Sequence, residues 1–185
     1  MLKKSLTLAA LFVCACIVAF KVNAASVGEK VAPVDLLKYN QAADEWKNGQ
    51  LPDIGKKVVS IMYTDIDVSD INDPLSDAIK KKGYVKEKYT AIGVGNSKDA
   101  PGIWNTIIRY IAKKKQKKYP DSHILLDETY ALKNAWNLGD CNQKAVVIIV
   151  GKDGVIKYIK KIKSDKESQA MISEVIPILD AETAK

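Results

Sequence analysis

The sequence contains a single histidine, His123, and a single arginine, Arg109. One imidazole cannot supply a His-rich zinc site, and no Cys/His spacing is present to complete one. His123 opens a short apolar run, the position of an ordinary hydrogen-bonded residue. Cysteine is scarce as well. Cys14 and Cys16 fall in an N-terminal apolar stretch, which leaves Cys141 for the body of the protein. A lone thiol forms no intramolecular disulfide, so stability must come from a core. The N-terminal stretch, Leu6 to Phe20, is 15 residues long. That is short of the ~20 needed to span a bilayer. Internal repeats and low-complexity segments are also missing.

What is present begins with Met1-Leu2-Lys3-Lys4, the apolar stretch, and Val22-x-Ala24. This is the pattern of a secretory leader cleaved after Ala24, with residues 25–185 as one exported, periplasmic domain. A lipoprotein acylated at Cys16 is the lesser alternative. Cys14 stands where a lipobox prefers a small residue, and "IVAF" follows where polar residues are expected. Cleavage would remove three lysines and no acid, lowering the net charge from +7 to +4. The remaining lysines cluster at Lys80 to Lys82, Lys113 to Lys118 and Lys160 to Lys163. Export and the lack of interleaved stacking aromatics argue against nucleic acid. Lysines at helix ends complement the dipole; weak attraction to anionic lipid heads or wall polymers is the alternative.

From residue 25 the pattern alternates. "VAPVDLLKYN" and the segment to Gly55 predict a hairpin or arm. Lys57 to Tyr63 is a buried strand, apolar without alternation. Asp73-Pro74 opens a helix that Gly83 ends, with Asp73 as its cap. "KYTAIGVGN" is a strand. Residues 99–120 hold a helix with Pro101 at its start and an apolar stripe of Ile103, Ile107, Ile108 and Ile111. "HILLD" is a strand, "ETYALKNAW" a short helix, "KAVVIIV" a strand, and "KDG" a turn into "VIKYIKKI", which lies near a sheet edge. Lys166 to Leu179 closes as a helix with Met171, Val175 and Leu179 inward, and Pro177 bends or shortens its end. The order β-α-β-α-β-α-β-β-α predicts a three-layer α/β/α sandwich with a mixed sheet.

The acidic stretch "YTDIDVSDIND" follows the first buried strand. An apolar strand ending in D-x-D is similar to the nucleophile motif of haloacid dehalogenases, with Asp65 as nucleophile and Asp67 as acid/base. Only "LLDET", with Asp127 and Glu128, resembles the later metal-binding pair, and no cap insertion is evident. An EF-hand starting at Asp65 fails at Asp70, where Gly is needed, and at Ser76, where Glu is needed. An irregular cation site from Asp65, Asp67, Asp70 and Asp73 stays open, as does a purely structural role at the start of the first helix.

Three motifs carry a family resemblance: "IGVGNSKDAPG" before an amphipathic helix, "KKYPDSHILLDETYALKNAW", and "AVVIIVGKDGVIKY". With "VGEKVAP" near the mature N-terminus, they resemble the YtfJ family of exported bacterial proteins, within the thioredoxin, peroxiredoxin and TlpA group. The resemblance implies a thioredoxin-like mixed sheet with flanking helices and a periplasmic location. It implies no agreed activity and no cofactor. In that fold the first central strand leads to a C-x-x-C pair at a helix N-terminus, where the thiolate is stabilised. The resemblance lays Asp67 and Asp70 at those positions. It lays Ala145 where thioredoxins keep a cis-proline; a cis bond before a non-proline costs about 2.5–4 kcal/mol, so a trans bond is expected. Cys141, in a lengthened loop near the pocket mouth, is then the one residue able to do covalent chemistry.

The expected function is a non-enzymatic binding module for a periplasmic protein, peptide or small ligand, with Trp104, Trp136 and Tyr63 as candidate groove residues. A thiol enzyme using Cys141 and a divalent-cation binder using the acids are the alternatives.

Overall fold

The computed structural model describes residues 24–40, 43–98, 100 and 102–185. The expected leader, residues 1–24 with Cys14 and Cys16, lies outside the described residues except for Ala24, and Pro101 lies outside them too.

Among the described residues seven strands form one sheet: β1 (Asp35–Asn40), β2 (Glu45–Gln50), β3 (Val58–Asp65), β4 (Tyr89–Asn96), β5 (Ser122–Asp127), β6 (Ala145–Val150) and β7 (Ile156–Ile162). Their spatial order is β2-β1-β5-β4-β3-β6-β7. β3, β4 and β5 run parallel, joined by the helices α1 (Asp73–Lys82) and α2 (Asn105–Lys118). The remaining pairs are antiparallel. The N-terminal segment is a hairpin, and β1 joins it to β5. β7 is an edge strand, as its alternating basic residues predicted.

The two faces are filled differently. Val59, Ile61 and Tyr63 of β3 pack with Ile92, Val94, Leu125, Val146 and Ile148, under Leu132 and Trp136. These last two come from α3 (Ala131–Ala135) and its C-terminal end. On the other face α1 and the closing helix α4 (Asp165–Ala184) cover Val58, Met62, Val147 and Ile149. α2 lies on that same side, over Ile124 and Leu126 of β5. Helices on both faces of a mixed sheet complete the α/β/α sandwich with thioredoxin-like topology.

Two local expectations are corrected. Pro177 does not end α4: the helix continues to Ala184, and Leu179 beyond the proline is fully buried. Burial of that apolar face outweighs the lost N–H bond. The short helix begins at Ala131 instead of Glu128, because Tyr130 adopts a left-handed conformation, φ 61°. Asp127 makes the start at Ala131 favourable. Its buried carboxylate accepts from the N–H groups of Ala131 (2.7 Å) and Leu132 (3.0 Å) and from the Tyr63 hydroxyl (3.2 Å).

Candidate functional site

Three successive outward positions of β4 on the helical face are Ala91, Gly93 and Gly95, and they carry little or no side chain. The register places them in rows: Ser60–Ala91–Ser122, Met62–Gly93–Ile124 and Thr64–Gly95–Leu126. The floor of the sheet is therefore low along β4. α1 covers β3 on one side and α2 covers β5 on the other. Between them lies a cleft of about 550 Å³, within the ~300–1,000 Å³ range of small-molecule sites.

Ile79 of α1, Ile107 and Ile111 of α2, and Trp104 in the 3₁₀ turn just before α2 wall the cleft. The apolar stripe predicted for α2 is thus only partly inward. Ile108 is buried, but Ile107 and Ile111 are 45% and 44% exposed, and Trp104 is 48% exposed. The helix has no β4 side chains to pack on. At the end where β4 begins, the rings of Tyr84 and Tyr89 lie 5.1 Å apart. Ile124 leans into the floor: a Cβ added at Gly93 would meet its Cδ1 at 2.9 Å.

The acidic stretch forms the opposite end. Asp65 closes β3 and is buried. Its carboxylate accepts from the N–H of Asp67 (3.1 Å) and from the N–H of Gln143 (2.8 Å). It therefore caps one 3₁₀ turn, Ile66–Val68, and ties down the loop that leads into β6. Asp67 is exposed on that turn and accepts from the Gln143 side chain at 3.3 Å. Asp70 and Asp73 face α2. Lys115 donates to Asp70 (2.9 Å) and Asp73 (2.5 Å), and Lys118 donates to Asp73 (2.7 Å). The Lys115 ammonium holds the Asp70 carboxyl below the usual carboxylate range.

This arrangement revises the expected roles. Asp73 is not the cap of α1. Asn72 occupies that position without a side-chain cap bond, and Asp73 stands in the first turn. Asp67 and Asp70 precede the helix on a separate turn. The four acids do not converge on a cation: two face Gln143 and two face α2. Among the described residues no group of three acidic, His or Cys side chains could hold a metal ion.

Cys141 is fully buried, in the cluster that contains Tyr63, Leu132, Trp136 and Leu138. That cluster fills the opposite face of the sheet from the cleft. Its Sγ lies 3.5 Å from the Gly139 carbonyl, and burial pushes the thiol pKa up, against the lowering effect of Lys161. The neighbouring Asn142, not Cys141, reaches the cleft mouth. Arg109, the one guanidinium, is committed to Glu128 at 3.2 Å. Tyr63 and Trp136 are core residues, and Trp136 Nε1 donates to the Ala32 carbonyl at 2.9 Å. Of the three aromatics named from sequence, only Trp104 lines the cleft. Ala145 begins β6 opposite Thr64, and its peptide bond is trans.

The residues that sequence reasoning passed over are Ala91, Gly93 and Gly95. Their signal was the alternation of small residues in "TAIGVGN", which leaves one strand face without bulk.

A model of the family described as "Bacterial protein of unknown function (YtfJ_HI0045)" matches residues 18–182. An uncharacterised protein of Haemophilus influenzae is 32% identical over 105 residues, 56% of each chain, so the match spans little more than half of that relative. The Escherichia coli uncharacterised protein YtfJ is 25% identical over 134 residues, 72% of this chain and 68% of the relative. Among solved structures, a candidate thiol:disulfide interchange protein, DsbE, from Chlorobium tepidum superposes with a TM-score of 0.59. It covers 84% of this chain and 99% of its own at 12% identity, which is a likeness of fold.

Proposed function

The chain belongs to the YtfJ_HI0045 family of bacterial proteins of unknown function, and from that premise we propose an exported binding module that holds its ligand in the cleft between α1 and α2. The observation that carries this reading is the cleft itself. It is an apolar trough of about 550 Å³ along β4 that reaches the Asp65–Asp67 turn.

The position of the thiol supports a binding role over thiol exchange. A reactive cysteine needs an electropositive, partly exposed setting that lowers its pKa. Cys141 is fully buried with its pKa raised. A carboxylate at Asp67 or Asp70 neither attacks nor forms a disulfide. Export rests on the N-terminal pattern of residues 1–24; among the described residues no helix is long and apolar enough to cross a membrane.

The test is native mass spectrometry of protein purified from the cell envelope, with cleavage after Ala24 checked by N-terminal sequencing. Retention of a small molecule or peptide by the wild type, lost in Ala91→Phe, is the expected result. Insulin reduction or peroxide consumption that disappears in Cys141→Ser would overturn the reading.

A further inference from the structure

The cleft is not electrically uniform. The end near Tyr89 is flanked by Lys80 and Lys86, each already engaged: Lys80 with the Lys118 carbonyl (3.0 Å) and Lys86 with Asp121 (2.6 Å). The opposite end holds Asp65 and Asp67, and among the described residues neither carboxylate has a basic partner. The nearby lysines Lys115 and Lys118 are spent on Asp70, Asp73 and Asp77. On a chain whose formal charge is +7, this mouth is locally negative.

A second and independent feature stands in the same wall. Asn72 is 3% exposed and lines the cleft, with its amide nitrogen given to the Thr64 hydroxyl. Its Oδ1 is a buried acceptor with no partner among the described residues. Buried acceptors without donors are costly, and such a group is commonly completed by a ligand or water. A donor-bearing head at this end would find the Asn72 oxygen and two carboxylates that are hydrogen-bonded but lack a counter-charge.

The body of the cleft fixes the rest of the ligand. Its floor is Ala91, Gly93 and Gly95, and its walls are isoleucines and Trp104. From Ala91 to Gly95 a strand advances roughly 13 Å, which suits an extended mid-length alkyl chain.

We propose that the cleft binds an amphiphilic cation: a small molecule with an unbranched apolar chain lying along β4 and a primary ammonium head at the Asp65–Asp67 mouth beside Asn72. This rests on the reading of the cleft as a binding site and adds the chemistry of what it takes.

Isothermal titration of the purified protein with decylamine, 1-decanol and decanoate separates chain from head. Decylamine is expected to bind saturably and at least tenfold more tightly than decanol, with decanoate weakest. Asp67→Asn should reduce decylamine affinity several-fold and leave decanol unchanged. Ala91→Phe should abolish both. Ile111→Arg, at a half-exposed wall position that burdens folding less, should weaken both and raise the salt sensitivity of the amine. Equal affinity for decanol and decylamine, lost in Ala91→Phe, would overturn the cationic head while the cleft reading stands. Decanoate binding as tightly as decylamine has the same effect. No saturable binding of any of the three overturns the proposal, and together with a bare wild-type mass it removes the cleft reading too.

Discussion

Lys115 of α2 donates to Asp73 in the first turn of α1 across 2.5 Å, and the pair joins the two helices that wall the cleft. The acids after β3 therefore act mainly between elements. Asp70, Asp73 and Asp77 hold Lys115, Lys118 and Tyr119, while Asp65 holds the loop before β6.

Asp73→Asn removes the negative charge that both lysines face. The side chains are 21–46% exposed, so solvent screens them. The expected loss is about 1 kcal/mol, shrinking at high salt as screening takes over. Urea unfolding at two ionic strengths checks it, and hydrogen exchange should show α2 opening more readily than β6.

Asp127→Ala strips the start of α3 of its acceptor and strands the Tyr63 hydroxyl in the core. Lost capping and unsatisfied buried donors together cost about 3 kcal/mol. Chemical denaturation should show that loss. An effect below about 1 kcal/mol would mean that the carboxylate is replaceable by water there.

His123 is the only imidazole, and burial, followed by the nearby charge of Lys38, pushes its pKa below the usual value. The folded state therefore favours the neutral ring. Its contribution to stability is present above the unfolded pKa near 6.5, and is lost as pH falls through the folded value. Denaturation midpoints should decline between about pH 7 and pH 5, and His123→Gln should flatten that decline. The carboxylates Asp70 and Asp180, both lowered by lysine contacts, add a second loss below about pH 4.

Cys141 should react with a disulfide reagent such as Ellman's only as fast as the protein opens locally, since it is fully buried. Native protein is expected to show a slow or absent reaction, and denatured protein a full thiol count. Immediate labelling of the native state would contradict its place in the core.

The main elements of the fold were legible because their signals are local. The apolar run of β3 and β6, Pro74 with Gly83 around α1, and the Asp153–Gly154 turn each declare themselves within a few residues. Partnerships between distant residues were not legible. Nothing near Asp73 in sequence announces Lys115, which lies 42 positions away. Cys141 sits in a polar loop, "GDCNQ", whose composition suggests exposure. The structure turns that one side chain inward against Tyr63, 78 residues earlier, and leaves Asn142 outside. The cleft escaped for a different reason: it is made by missing side chains, and the two helices that border it are placed by the topology. The small residues of β4 were visible, but their meaning depended on which elements came to flank them.

That strand places adjacent residues under opposite constraints. Ile92 and Val94 point into the packed side of the sheet, where an added methyl group has no room. Ala91, one residue from Ile92, faces open space. A change at the first pair tests whether the chain folds; a change at the second alters the shape and depth of the trough over the same backbone. β4 thus separates heritable variation in stability from variation in what the protein holds: related chains can diversify at Ala91 over one unchanged core, whereas a side chain at Gly93 or Gly95 would press on Ile124 or Leu126.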